Sequence, residues 1–262
     1  MSALRRSFCK TKAKKRTEEK QLKIAVKNAQ AAAPHRLKRG FAMSKYILKY
    51  TRDERVKYIS HLDFMRLFHR TVRRSGVDFL YSEGFNPHPV MTVAMPLSVG
   101  VTSGGEYMKV GFTDKFSPEE IVWRINSAFP PGYEITGIYK LSAKEIDINK
   151  INRAEYTVMA ELADGAKPCN IEKVLKNESL VVMKKTKSGE KESDIRSYIY
   201  SLSEEKTEGN IVTYKMCVSC GNEYNLKPET VIAALEKYDE CFKTSFICVR
   251  RDRLILPNNA EI

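Results

Sequence analysis

Apolar and polar residues follow a regular pattern from residue 43 onward, and its first part predicts a strand followed by a helix. Residues 45–51 (KYILKYT) are rich in β-branched and aromatic side chains, which favours a strand. Ser60 is suited to cap the following helix, Asp63 to reach back to that cap, and Gly76 to end the helix. Within residues 62–75 the apolar positions recur at helical spacing, and the predicted core face consists of Phe64, Leu67, Phe68, Thr71 and Val72.

The remainder of the first half predicts a second helix among extended segments. Residues 117–120 (SPEE) supply an N-cap, a proline at the first helical position and a glutamate at the third, so a helix is expected from there to the prolines at 130 and 131. Extended segments are expected at residues 56–59, 79–82, 90–95, 106–112 and 134–141. The order strand, helix, strand, strand, helix, strand is that of a ferredoxin-like (βαββαβ) sandwich.

The second half repeats this order more loosely. Strands are expected at residues 156–162, 180–186, 211–218, 244–249 and 254–256, and helices at 170–177 and 227–238. A charged insertion at 187–192 interrupts the pattern, and the polar stretch 142–154 is expected to be a linker. The sequence therefore predicts an α+β protein built from tandem ferredoxin-like domains, at residues 43–141 and 155–262.

Charge is concentrated at the start of the chain. The 262 residues carry a formal net charge of +13, yet residues 1–42 alone hold 13 basic side chains against two acids. With few aromatic or β-branched residues, this stretch is expected to be a disordered basic extension that could serve as an electrostatic arm for RNA or DNA. Because the chain restarts at Met43 with MSKYILKY, a start-site artefact is the competing interpretation.

Length and cysteine usage narrow the class of protein. No apolar run approaches the roughly 18 residues that span a bilayer, so an integral membrane protein is not expected. The six cysteines are too scattered for a disulfide framework, which favours a reducing cytoplasm.

The face of the first helix opposite its core is basic. It carries four arginines, with His69 at its edge: Arg66, Arg70, Arg73 and Arg74. Guanidinium groups match phosphate oxygens in a bidentate geometry, and a merely solvated face usually mixes both signs of charge. A polyanion-binding face and a surface for solubility or a protein partner both remain open.

A loop at residues 83–89 (EGFNPHP) follows this helix. Its two prolines and one glycine rigidify it and expose Phe85 and His88, while Asn86 and His88 precede proline and are pushed toward extended geometry. Phe85 or Tyr81 could stack on a base. We expect the loop to fold back and place Glu83, Asn86 and His88 near His61 and Asp63. The alternative is a rigid docking loop that packs Phe85 against the second half.

Some residues near these loops are candidates for acid–base chemistry. They are His61, Asp63, Glu83, His88 and Glu106. A histidine at a helix start beside an arginine face could act in a metal-independent ribonuclease. The competing interpretation is that His61 fixes the strand-to-helix turn and Asp63 caps the helix. The common nucleotide-binding, hydrolase and metalloprotease motifs are absent from the sequence.

The cysteines give little support for a cofactor. A radical SAM cluster needs three closely spaced thiolates, usually C-x3-C-x2-C, and the sequence has no such triplet. Cys217, Cys220, Cys241 and Cys248 could form a four-thiolate zinc site, although the second pair has the wrong spacing. Ordinary thiols are the simpler interpretation, and no cofactor is expected.

Several of these stretches together resemble a known family. They are YISHLD (58–63), the arginine-rich helix, YSEGFNPHP (81–89), Pro96-Leu97 with Gly100, and Glu106-Tyr107. This set resembles the bacterial radical SAM-linked proteins, whose molecular function is unknown and which occur as separate chains or fused behind a radical SAM enzyme. The resemblance is strong over residues 44–114 and continues weakly through residues 194–196 and 226–229. It implies association with a radical SAM enzyme, in RNA modification or maturation.

Two hypotheses of different class follow. The first is a non-catalytic RNA-binding or substrate-presenting module that works with a radical SAM enzyme. The second is a metal-independent ribonuclease or small hydrolase centred on His61. The first predicts that the arginine face and the loop form one surface, and the second predicts turnover by the isolated chain.

Overall fold

The first half of the protein alternates strands and helices in the predicted order. We describe a computed structural model, in which residues 42–141, 147–186 and 189–257 are placed. The elements of the first half are β1 (Met43–Arg52), α1 (His61–Ser75), β2 (Met91–Val93), β3 (Thr102–Thr113), α2 (Pro118–Ala128) and β4 (Tyr133–Lys140). The Ser60 side chain accepts a hydrogen bond from the Asp63 amide, and Gly76 ends α1 with a φ of 74°, so both predicted ends of this helix are confirmed.

The second half contains further strands and two more helices. They are β5 (Arg153–Leu162), α3 (Ile171–Leu175), β6 (Val181–Thr186), β7 (Gly189–Asp194), β8 (Ile199–Glu208), β9 (Ile211–Ser219), α4 (Pro228–Tyr238) and β10 (Thr244–Ile255). Residues 42–262 cluster as one compact unit. The protein is thus a mixed α+β fold, as predicted at that level.

One large sheet runs through both halves in the order β4-β1-β3-β10-β5-β9-β8, and β2 pairs with the far end of β3. Within each half the neighbouring strands are antiparallel. The halves join where β10 runs parallel to β3, with Arg250 opposite Thr102 and Arg251 opposite Ser103. This seam is the only parallel pairing in the described part of the sheet, so the sheet is mixed.

Two apolar clusters hold the helices against the sheet. Phe64 and Phe68 of α1 pack with Ile121 of α2 on the inner face of β1 and β3. In the second half, Val174 of α3 and Val231 of α4 belong to the other cluster. The predicted core face of α1 is observed except that Leu67 is only partly buried.

The strand assignments of the second half need two corrections. The predicted strand at 180–186 does form β6, but it pairs with β7 in a separate two-stranded sheet, and the strand beside β9 is β8, which was not predicted. β8 is an edge strand whose residues are mostly exposed, so it lacks the apolar alternation that marks a half-buried strand. The two segments predicted at 244–256 form one strand, β10, whose polar RRDR stretch (250–253) contains a bulge.

Two segments of the first half are less regular than predicted. Residues 56–59 are not extended, because the Arg52 guanidinium gathers the carbonyls of Val56, Lys57 and Ile59 and the chain there forms a short 3-10 helix (Glu54–Val56) and a turn. Residues 79–82 make only isolated bridges, from Phe79 to Phe112 and from Tyr81 to Pro89.

Parts of the predicted extension and linker lie outside the described residues. These are residues 1–41 and 142–146. The described end of the predicted linker packs into the protein, because Ile148 and Ile151 are buried. No helix in the described ranges is long and apolar enough to cross a membrane.

Candidate nucleic-acid interface

The solvent face of α1 carries the four arginines as predicted, and all four are exposed. They differ in what they contact. Arg66 pairs with Asp63 at 3.1 Å, and Arg74 donates to the Ala128 carbonyl at the end of α2 at 2.8 Å. Among the described residues, Arg70 and Arg73 have neither an ion-pair nor a hydrogen-bond partner. Two of the four guanidinium groups are therefore free to meet an anion.

Ring contacts join this face to the loop. The His69 ring stacks on Phe79 with centroids 5.5 Å apart, and Phe79 meets the edge of Tyr81 at 6.4 Å. Burial and the nearby Arg73 lower the pKa of His69, whose buried Nε2 has no hydrogen-bond partner among the described residues. His69 and Arg73 are neighbours at i and i+4, so these ring contacts run from the edge of the arginine face to Tyr81, at the start of the loop.

The loop is a short hairpin that closes on itself. The Ser82 amide donates to the His88 carbonyl at 2.8 Å, and the His88 amide donates to Ser82 Oγ at 3.0 Å. Gly84 near the tip has a φ of 122°, a conformation that favours glycine. Glu83, Asn86 and the His88 side chain are exposed, and Phe85 is fully exposed. The alternative in which Phe85 packs against the second half is therefore wrong.

His61 and the chain that follows His88 approach β3 at different points along the strand. His61 lines a small cleft with Glu106, whereas the chain leading from His88 joins β3 at Gly111 through the Val90 carbonyl. The five residue steps from Glu106 to Gly111 measure about 17 Å along a strand. The predicted fold-back is not observed, because the loop follows α1 as a local hairpin and does not connect β2 and β3. The two histidines do not share a site in this arrangement.

Asp63 holds the cap of α1. Its carboxylate accepts from the Ser60 hydroxyl at 2.7 Å and pairs with Arg66, and these two contacts hold the pKa of Asp63 below its usual range. The geometry agrees with the interpretation of Asp63 as a capping residue.

The charged groups beside His61 are engaged by other parts of the protein. The cleft holds about 10 Å³, on the order of one water molecule, and its lining includes Arg52, Glu106 and Tyr133. The Arg52 guanidinium donates to three carbonyls, and Glu106 accepts from Ser103 and Arg251. The buried Tyr133 hydroxyl has no partner among the described residues. This arrangement leaves His61 without a free carboxylate as an acid–base partner.

The buried ion pair at the seam is a feature that the sequence analysis missed. Arg251 of β10 donates through two nitrogens to the Glu106 carboxylate and also to the Met95 carbonyl at 2.7 Å, and the side chains of Arg251 and Glu106 are 3% and 1% exposed. Ser103 Oγ donates to Glu106 at 2.7 Å. The sequence feature that could have indicated this ion pair is the RRDR run (250–253). Its second arginine, Arg251, alternates with buried apolar residues along β10 and therefore lies on the buried face of the strand.

Motif residues from both halves border this ion pair. A second small cleft beside Arg251 is lined by Leu97 and, from the start of α4, Lys227 and Glu229. Leu97 also lines the cleft of His61. The YISHLD, Pro96-Leu97 and Leu226–Glu229 stretches therefore meet at the seam, while the loop at 83–89 does not.

The four candidate zinc ligands do not form a site. Cys220 is buried beside Arg251, and Cys217 of β9 lies opposite Glu155 of β5. Cys241 is exposed after the end of α4, and Cys248 is near Glu54. Burial raises the pKa of Cys217, Cys220 and Cys248. No group of three metal-ligating side chains occurs among the described residues. The weak zinc candidate is therefore not supported, because the four cysteines have different surroundings and do not gather at one centre.

Comparison with known proteins gives a family but no established function. Residues 45–228 match the family model described as "Uncharacterized protein conserved in bacteria (DUF2344)". No curated protein matches the chain.

Two solved structures show a distant likeness. One is a crystal structure of a Cbf5-Nop10-Gar1 complex, with a TM-score of 0.40 and 10% identity, covering 73% of this chain and 45% of that chain. The other is a candidate glycine cleavage system transcriptional repressor, with a TM-score of 0.21 and 12% identity, covering 80% of this chain and 98% of that chain. The chain thus spans less than half the length of the first of these proteins, and both TM-scores are too low to support an argument.

Proposed function

The chain belongs to the bacterial family of uncharacterized proteins DUF2344, and we propose that it is a non-catalytic RNA-binding or substrate-presenting module that works beside a radical SAM enzyme. The RNA-binding surface consists of the exposed arginines of α1 and the loop at residues 83–89. We call this surface the arginine–loop face.

The observation that carries this proposal is the series of ring contacts between α1 and the loop. His69 contacts Phe79, and Phe79 contacts Tyr81 at the start of the loop, which supports a single surface that combines two free guanidinium groups with the exposed ring of Phe85. Cations for phosphates together with an aromatic ring for bases are the combination that RNA-binding surfaces use.

The radical SAM partner rests on the resemblance of the sequence motifs. The chain has no cysteine triplet for the cluster, so any radical chemistry belongs to the partner. A module that binds RNA without catalysing a reaction would then present the substrate to that enzyme. Affinity capture with the full chain as bait, in its native bacterium, should recover a radical SAM enzyme together with RNA.

The ribonuclease alternative has less support. A metal-independent ribonuclease needs an acid and a base within reach of the reacting hydroxyl and leaving group. Around His61, Arg52 and Glu106 are held by other protein groups and the cleft has room for about one water molecule. Among the described residues that line this cleft, His61 therefore has no free carboxylate as an acid–base partner.

We also infer that both halves are ferredoxin-like units in tandem. We number the four main strands of each half in sequence order. In the sheet they then lie in the order fourth, first, third, second, which is β4-β1-β3-β2 in the first half and β10-β5-β9-β8 in the second half. In the second half the hairpin of β6 and β7 is then an insertion between the first helix and the second strand.

The test removes charge from the arginine–loop face. We expect Arg70→Ala combined with Arg73→Ala to weaken binding of a labelled RNA about tenfold, and to reduce the slope of log K against log salt by about 1.5, because two phosphate contacts are lost. Fluorescence anisotropy over a salt series measures both quantities.

The matched control is Lys173→Ala with Lys176→Ala, which removes the same charge from exposed positions at α3. Both double variants should keep their free energy of unfolding within about 0.5 kcal/mol of the wild type, since surface substitutions usually have small effects. Equal RNA affinity of the wild type and the arginine variant would refute the proposed interface.

A further inference from the structure

We propose that the arginine–loop face takes single-stranded RNA, with one unstacked base lying against the ring of Phe85. This inference rests on the proposed function and adds to it the class of RNA and the residue that makes the stacking contact. It follows from which aromatic ring is available, how the loop holds that ring, and where the charges lie.

Phe85 is the available ring, and Tyr81 is not. Tyr81 is half-buried, meets Phe79 edge to face and forms a bridge with Pro89. Phe85 is fully exposed and has no ring contact within the described residues. A base can therefore approach both faces of the Phe85 ring.

The loop presents this ring from a closed hairpin. Two hydrogen bonds between Ser82 and His88 close the base of the loop, and Pro87 fixes its own φ within the tip. Placing an apolar ring in water at such a tip contributes nothing to folding, because the ring buries no surface. A pre-formed loop loses little conformational entropy on binding, which favours a ligand contact at this point.

Only an unpaired base offers a free face to this ring. In an RNA duplex the base faces are stacked on their neighbours, and the protein meets phosphates, 2′-hydroxyls and groove edges instead. Single strands can splay their bases onto aromatic side chains, and stacking of this kind tolerates any sequence. An aromatic ring at a protruding tip therefore fits a single strand.

The charges indicate where the RNA backbone and the base would lie on the arginine–loop face. Arg70 and Arg73 attract phosphates along α1, whereas the exposed carboxylate of Glu83 repels them from the loop tip. The backbone of the RNA should therefore follow α1 while a base extends toward Phe85. The exposed amide of Asn86 is the adjacent group that can hydrogen-bond to the edge of that base.

The experiment compares two probes and three variants of the full chain. The probes are a 12-nucleotide oligouridine and a blunt 12-base-pair RNA duplex, each titrated at one fixed salt concentration. The variants are Phe85→Ala, Phe85→Tyr, which keeps an aromatic ring, and Phe246→Ala, which removes an exposed phenylalanine from β10 as a matched control.

We expect the wild type to bind the single strand at least tenfold more tightly than the duplex. Phe85→Ala should weaken binding of the single strand about tenfold, a loss typical of one stacked base. The other two variants should stay within about twofold of the wild type, and duplex binding should be the same in all four proteins.

Two results overturn the inference, and they differ from failure of the proposed function. Equal affinity for both probes, or full single-strand affinity in Phe85→Ala, would refute the stacking contact while the arginine variant still weakened binding. If the wild type binds neither probe, the RNA interface itself is refuted, and this inference with it.

Discussion

Arginines have different roles at the seam between the two halves and on the solvent face of α1. At the seam between β3 and β10, Arg251 is buried and its donors go to Glu106 and the Met95 carbonyl. On α1, Arg70 and Arg73 are exposed and have no partner among the described residues. Guanidinium groups at the seam fix the fold, and those on α1 remain available for a ligand. Burial and available acceptors, rather than residue type, separate the two roles.

The two regions should also differ in how a substitution acts. A charge removed from the seam leaves its partner buried without compensation, which costs stability. Removing a charge from the solvent face of α1 leaves no buried charge unpaired, so this substitution should change ligand affinity without changing the free energy of unfolding. Measurements of unfolding and binding on the same variants can therefore test whether the division is real.

The largest effect is expected at the seam. Glu106→Leu or Arg251→Met alone should lower the free energy of unfolding by about 3–5 kcal/mol, because each leaves one buried charge unpaired. The double variant Glu106→Leu/Arg251→Met should regain at least half of that loss, since it leaves neither charge. Urea denaturation of the four proteins measures this cycle.

A single variant that lost less than about 1 kcal/mol would mean that water reaches the seam and solvates the remaining charge. In that case a charge at the seam would be as dispensable for stability as one on α1, which would contradict the difference between the two regions. The wild-type chain measured in parallel provides the reference for every variant.

The sequence predicted α1 well because its signals are local. The serine cap, the apolar period and the closing glycine all act within one helix, and the arginines follow on the opposite face from geometry alone. The seam could not be predicted in this way. Glu106 and Arg251 are 145 residues apart, and their contact depends on the parallel pairing of two halves that each look complete.

The loop and β8 show two further limits. The expected fold-back of residues 83–89 toward His61 is not observed, because the chain forms a closed hairpin before β2 and joins β3 at Gly111. β8 was missed because an edge strand with exposed charged residues carries no apolar alternation. In both cases the missing information was which strands are neighbours.

An intermediate effect is expected at the start of α1. Ser60→Ala removes the acceptor for the Asp63 amide and should lower the free energy of unfolding by about 1 kcal/mol. Ser60→Thr keeps a hydroxyl and should lose much less. RNA affinity should stay within about twofold of the wild type in both variants, because the arginine–loop face keeps its charges and its aromatic ring.

This variant sharpens the comparison because it weakens the helix that carries the arginines without touching them. A parallel fall in affinity and stability would mean that the face depends on the cap of α1. Thermal unfolding and fluorescence anisotropy, performed on the same preparations, distinguish the two outcomes.

The smallest effect concerns two aspartates, one buried and one exposed. Asp239 is buried, and its carboxylate accepts from the Asn170 amide at 2.8 Å and the Cys241 amide at 3.2 Å, contacts that hold its pKa below the usual range. A lowered pKa in the folded state stabilises the protein above the unfolded value near 4, and this contribution is lost as the pH falls through the folded value. Asp239→Asn should therefore shrink the drop in unfolding free energy between pH 6 and pH 2.5 by up to about 1 kcal/mol. Asp63→Asn is the exposed counterpart. Its pKa is also lowered, but solvent screens its contacts, so it should shrink that drop by less than Asp239→Asn does. Equal changes in both variants, measured by urea denaturation at the two pH values, would contradict the division between buried and exposed charges.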